Sequence, residues 1–225
     1  MTQDDADILG EYENAEFAAA AAALRERRTY AARRESEVHP KPQEGIDWSE
    51  PDIPYRPASI ELPDLCSKLG ITNHPKLAKR ENYVFIDHSA LLRISAHLSS
   101  NTSVELGGLL VGQPYYAPSV DGYLVVVHDG YAAVDGNETA VSFQYTSDTW
   151  QVMTPKLQQM PQDYVVVGSY HSHPGLGVFL SSVDIDTQAG VFSQPWQIAL
   201  VIDPIRNETG FFVSPEGIPA SYEDF

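Results

Sequence analysis

The seven residues Tyr164 to Tyr170 form an almost continuous apolar run that leads straight into His171-Ser172-His173-Pro174. A run this short and rich in β-branched residues reads as a central strand covered on both faces. It therefore demands a sheet with further elements on either side. Pro174 ends the strand, Gly175 and Gly177 let the chain turn back, and a short helix is expected near Ser182 to Gly190. The surrounding texture agrees. Strands are predicted at Tyr83 to Asp87, Val104 to Val111 (ending at a Gly112 turn), Tyr123 to Val127 and Ala140 to Tyr145. Gln197 to Ile202 and Gly210 to Val213 complete the sheet. An amphipathic helix near Ser89 to Ser99 points Leu91, Leu92, Ile94 and Leu98 inward. A second helix is predicted over Asp148 to Met160, although Pro155 weakens it. The class is α+β, a mixed central sheet flanked by helices.

The first third of the chain differs. Residues 4–36 are predicted to form one long helix, with acids at its start and Arg25, Arg27, Arg28, Arg33 and Arg34 at its end, as the helix dipole favours. Six prolines between residues 38 and 63 then forbid regular helix and favour extended backbone. Leu65, Leu69 and Ile71 fit either a short helix or a loop. The expected organisation is an N-terminal helix over 1–37, a Pro-rich linker and lead-in over 38–82, and the main domain over 83–225.

Charge narrows the partners. The net charge is −17, and residues 83–225 hold 15 acids against only Arg93, Lys156 and Arg206. Such a surface repels phosphate backbones, so nucleic acid is not expected. No apolar run reaches the roughly 18–20 residues of a membrane span, and the acidic start lacks the basic region of a secretory signal. The single cysteine, Cys66, excludes an intramolecular disulfide framework. A cytoplasmic location is expected.

The chemistry concentrates after the apolar run. On extended backbone His171 and His173 project from one face, and Ser181 and Asp184 lie one turn apart at the next helix start. Two imidazoles and a carboxylate supply three ligands for Zn²⁺ and leave a fourth position for water, the pattern of a catalytic rather than a structural zinc. Such a zinc lowers the pKa of its water to roughly 7, and a general base must still carry the proton. Glu105, the sole acid in the apolar stretch Val-Glu-Leu-Gly-Gly-Leu-Leu-Val-Gly, is that candidate, and Ser181 is the candidate oxyanion donor. Read singly, the histidines would pass for hydrogen-bonded core residues and Ser181-x-x-Asp184 for a helix cap. The remaining histidines read as structural or solvent-facing, and Cys66 lacks the setting of a nucleophile.

Glu105, then His171-x-His173-Pro174, then Ser181-x-x-Asp184 resembles the signature of the JAMM (JAB/MPN-type) zinc metalloproteases. The string His171 to Gln188 looks like the deubiquitinating branch, and Ala199 to Phe212 is similar to the strands that follow. The resemblance covers about Tyr83 to Phe212 and implies a JAB/MPN-like fold. It also implies hydrolysis of the bond after the C-terminal tail of ubiquitin or a ubiquitin-like protein. His171, His173 and Asp184 then match the zinc ligands, Glu105 the base and Ser181 the oxyanion-stabilising serine. Val178 and Phe179 stand where eukaryotic relatives often have Cys and Trp, and the compact form resembles prokaryotic members. Two alternatives stay open: trimming of a ubiquitin-like or sulfur-carrier precursor, and a non-catalytic interaction scaffold. The N-terminal helix is a candidate contact for a conjugation-pathway enzyme.

Overall fold

The computed structural model describes residues 55–133, 147–214 and 216–225. The predicted helix over 4–36, the proline-rich stretch up to 54 and the predicted strand Ala140 to Tyr145 lie outside the described residues. One compact unit runs from Tyr55 to Phe225. Its elements are β1 (Ala58–Ser59), α1 (Leu62–Leu69), β2 (Tyr83–Ile86), α2 (His88–Ser99), β3 (Gly107–Ala117) and β4 (Gly122–Ala133). Then come α3 (Ser147–Leu157), β5 (Val165–Ser172), α4 (Ser182–Val191), β6 (Ile198–Asp203), β7 (Glu208–Val213) and β8 (Ile218–Asp224). Residues of the lead-in thus contribute β1 and α1 to the same unit as the sheet. No helix among the described residues is long and apolar enough to cross a membrane.

The sheet runs β3-β4-β2-β8-β7-β6-β5, and β5 pairs again with β3, so seven strands close on themselves. β1 adds in parallel to β3 at Tyr115 and Tyr116, beyond the stretch of β3 that pairs with β5. Pairing is mixed: β2 is parallel to both β4 and β8, β5 is parallel to β6, and the other pairs are antiparallel. Both faces are covered. Val84, Ile86, Val125 and Val127 enter the cluster that holds Ala90, Ile94 and Leu98 of α2. The alternate residues Tyr83, Phe85, Leu124 and Val126 enter the cluster that holds Leu62, Leu65 and Cys66 of α1. This period of two, apolar on both phases, is why these strands read as unbroken apolar runs.

Four expectations are corrected. In α2 the buried spacing is Ala90, Ile94 and Leu98, and Leu92 is exposed, because a helix on a sheet buries one stripe rather than every leucine. The strand expected from Val104 starts only at Gly107, so Glu105 lies in the segment entering it. That strand also passes through Gly112 to Ala117, with a register shift between Val111 and Gly112 instead of a turn. The strand expected to stop at Val127 runs on to Ala133, paired with β3 on both sides of the bulged His128. Finally, β8 was not expected at all. Five of its seven residues are exposed, so it shows no core alternation and exists through backbone pairing to β2 and β7.

One irregularity positions the site. Opposite β3, Leu110 pairs with Gly168 but Val111 with Val166, so Val167 is an extra residue. Gly168 has φ +153°, and a Cβ there would sit 1.8 Å from the Ile198 carbonyl oxygen. Only glycine fits so close to the neighbouring strand. The bulge shifts the strand's phase, so that Ser169, His171 and His173 share one face while Tyr170 turns into the α2-side core.

Candidate metal centre

The site stands at the end of β5, where three separate pieces of chain are fastened together. The backbone of His173 donates to the Ile202 carbonyl of β6 at 3.0 Å. Between the two histidines, Ser172 points the other way: its Oγ accepts from the Leu106 amide at 3.0 Å, and its own amide donates to the Leu106 carbonyl at 2.9 Å. That reciprocal pair holds the neighbouring Glu105 beside the histidines. The third piece is the start of α4, a capping box in which Ser181 and Asp184 each accept from the other's backbone amide.

The imidazoles and the carboxylate converge. His171 Nε2 and His173 Nε2 are 3.1 Å apart. Asp184 Oδ1 lies 3.5 Å from His171 Nε2, and Asp184 Oδ2 lies 3.6 Å from His173 Nε2. Glu105 Oε1 is 3.9 Å from His173 Nε2. Ser181 Oγ donates to Asp184 Oδ2 at 2.6 Å. All five residues singled out in the sequence therefore meet in one place, and both histidines and Glu105 are buried.

Electrostatics bind the group together. Burial alone would push His173 down, but the Asp184 hydrogen bond and the Glu105 and Asp184 charges push it above the ordinary histidine value. Burial alone would push Asp184 up, yet hydrogen bonds from His171, His173 and Ser181 and the charge of His171 hold it well below the usual carboxylate range. His173 Nδ1 is buried without a hydrogen-bond partner, and its ring packs on Phe179 with centroids 4.6 Å apart.

The donor set suits a metal ion. One donor atom from each of His171, His173 and Asp184 fits within 4.8 Å of the other two. Two imidazole nitrogens crowded to hydrogen-bond distance and a carboxylate kept ionised form a combination that suits Zn²⁺ better than Mg²⁺ or Ca²⁺, which favour all-oxygen cages.

Two supporting residues escaped the sequence analysis. Gln188, one turn beyond Asp184 and buried, donates from Nε2 to Ser169 Oγ at 3.0 Å and accepts from Ser214 Oγ. The signal was there: Ser169 precedes His171 by two, and Gln188 follows Asp184 by four, so both fall on the faces that meet. Asp203, fully buried, accepts backbone hydrogen bonds from four residues including Gly175 and Gly177. Its signal was an acid that continues the alternate positions Ala199 and Val201 of β6.

A family described as JAB1/Mov34/MPN/PAD-1 ubiquitin protease matches residues 80–193. The chain is 40% identical over 130 residues to the 26S proteasome regulatory subunit RPN11 of Eremothecium gossypii, covering 56% of this chain and 40% of that protein. It is 37% identical over 147 residues to the ubiquitin carboxyl-terminal hydrolase RPN11 of Saccharomyces cerevisiae, covering 64% and 45%. With COP9 signalosome complex subunit 5a of Arabidopsis thaliana it shares 36% identity over 173 residues, covering 68% and 45%. The chain thus spans less than half the length of these relatives. Among solved structures, a JAB1/MPN domain protein from Archaeoglobus fulgidus matches at 16% identity and TM-score 0.38, covering 62% of this chain and 96% of that one.

Proposed function

The chain belongs to the JAB1/Mov34/MPN/PAD-1 ubiquitin protease family, and we propose that it is a zinc-dependent isopeptidase. Its substrate bond follows the C-terminal tail of ubiquitin or a ubiquitin-like protein. The observation that carries this reading is the meeting of His171, His173 and Asp184 within 4.8 Å, with the Glu105 carboxylate beside them.

His171 and His173, through Nε2, and Asp184, through its carboxylate, would hold the metal. Zinc in such a cage is a Lewis acid that acidifies a water molecule and polarises a carbonyl. The protein's own groups do the rest. Glu105, buried and 3.9 Å from His173 Nε2, takes a proton from the attacking water on its carboxylate and returns it to the departing amine. Ser181 Oγ–H, bonded to Asp184 Oδ2 at rest, turns toward the oxygen of the scissile carbonyl as negative charge develops there. One such donor is typically worth roughly 3–4 kcal/mol of transition-state stabilisation.

Purified protein incubated with a linear ubiquitin fusion and with a lysine-linked conjugate is expected to cleave the conjugate and to stop on chelation. Mass spectrometry of the products separates deconjugation from precursor trimming. Glu105→Gln should retain one zinc per chain yet lose about 10²–10⁴-fold in turnover, the usual worth of a general base. Full turnover in that variant removes Glu105 from the mechanism.

A further inference from the structure

The seven residues 174–180 join His173 to the Ser181 cap and so connect two of the proposed ligands to the third. A loop of this kind is free to vary in span unless something fixes it, and every variation moves Asp184 relative to the histidines. Asp203 sits under it. On β6 the alternate residues Ala199 and Val201 pack against Val178 and Leu180 of this loop, and Asp203 is the next residue of the same row. Its Oδ1 accepts from the Gly175 amide at 2.9 Å and its Oδ2 from the Gly177 amide at 2.7 Å. Oδ1 also accepts from Ile205 and Arg206 at 2.9 and 3.1 Å, which anchors the carboxylate to the turn after β6. Gly175 and Gly177 have φ +77° and +88°, the backbone shape that aims both amides at one acceptor.

We infer that Asp203 is a positioning residue for the metal centre: by gripping the Gly175 and Gly177 amides it sets the separation between His173 and Asp184, and hence the affinity for the ion. The inference rests on the proposed metal site. Asp203 is fully buried, and among the described residues its one ion-pair partner is the half-exposed Arg206, with Nε 3.6 Å from Oδ2. Four amide donors, rather than a full ion pair, keep the buried carboxylate charged and its carboxyl down at about 2. No side-chain amide can replace it, because Asn presents an NH₂ where one of those amides needs an acceptor.

The test is cobalt(II) titration of the full-length protein, with d–d absorption reporting the coordination geometry and chelator competition giving the affinity. Asp203→Asn should bind cobalt about tenfold more weakly and with an altered band, in the range usual for groups that orient ligands from behind. Gly177→Ala attacks the same grip from the other side, since its φ is strained for alanine while its Cβ meets the ends of two flexible side chains, Arg206 Nη1 at 3.2 Å and Glu208 Oε2 at 3.7 Å. It should weaken binding in the same direction, and it carries the test if Asp203→Asn does not fold. Affinity and spectrum unchanged in whichever variants fold would overturn the inference. Failure of the unaltered protein to bind cobalt or zinc would instead overturn the proposed function itself.

Discussion

Helices α1 and α4 both lie against the sheet, yet they dock by opposite means. Helix α1 buries Leu62, Leu65 and Cys66 among Tyr83, Phe85, Tyr115, Leu124 and Val126. The one buried side chain within α4 is Gln188, and its first turn delivers Asp184. Apolar contact scales with area and has no preferred direction, so α1 is held chiefly by burial, with Lys68 Nζ of its last turn donating to Tyr115 Oη at 2.8 Å. Hydrogen bonds demand position. Gln188 reaching Ser169, and Asp184 reaching the two histidines, fix α4 along the strand and about its own axis. A catalytic metal centre needs that second kind of contact, because ligands must be placed to within about 0.5 Å.

The comparison breaks most visibly on the α1 side. Leu65→Ala, at a fully buried position, should lower unfolding free energy by about 2–5 kcal/mol. The same variant should leave zinc affinity unchanged, and urea unfolding beside chelator competition checks both halves. If metal binding weakened in step with stability, the two docking modes would not be separable.

A smaller effect is expected for Gln188→Leu. It leaves the Ser169 and Ser214 hydroxyls without their partner, worth about 1–3 kcal/mol in a buried setting. Here zinc affinity should fall as well, because α4 loses the bond that sets its height. Loss of stability with intact affinity would mean the cap at Ser181 positions Asp184 unaided.

Acid titration sharpens the comparison by the smallest amount. Burial alone would raise Asp203, but the backbone bonds from Gly175, Arg206, Gly177 and Ile205 hold it at about 2. An unfolded aspartate titrates near 3.9. The folded value is the lower one, so the contribution is complete above that unfolded value and is lost as pH falls through about 2. Urea midpoints followed from pH 5 to pH 2 should drop more steeply in the unaltered protein than in Asp203→Asn, and matching slopes would contradict this. No comparable acid effect is expected from the α1 contact, whose buried residues carry no carboxylate.

Much of the fold was legible because alternation and helical spacing are local. β2 and β6 fall within a residue or two of where the sequence puts them, since their side chains face covered surfaces, and α4 does so because the Ser181-x-x-Asp184 cap marks its start. Four of the five candidate residues were legible because the spacing of His171 and His173 and the Ser181-x-x-Asp184 step each place side chains on one face by backbone geometry alone, and Glu105 stood out as the one acid in an apolar stretch. β8 and the true start of β3 were not: β8 shows no core alternation and lies beside β2, and the start of β3 is set by β5, partners far away in sequence.

What the sequence determined by itself, then, was a set of groups: a strand apolar enough to be buried, two histidines in phase, an acid in a helix's first turn. The tertiary structure alone decided that these groups meet. The bulge at Gly168 chose which face His171 and His173 occupy, and the Leu106–Ser172 pair brought Glu105 alongside. Gln188 and Asp203 locked the helix and the loop around them. The physical reason is that local geometry fixes the direction of a side chain relative to its own backbone. Only contacts between distant segments fix one backbone relative to another.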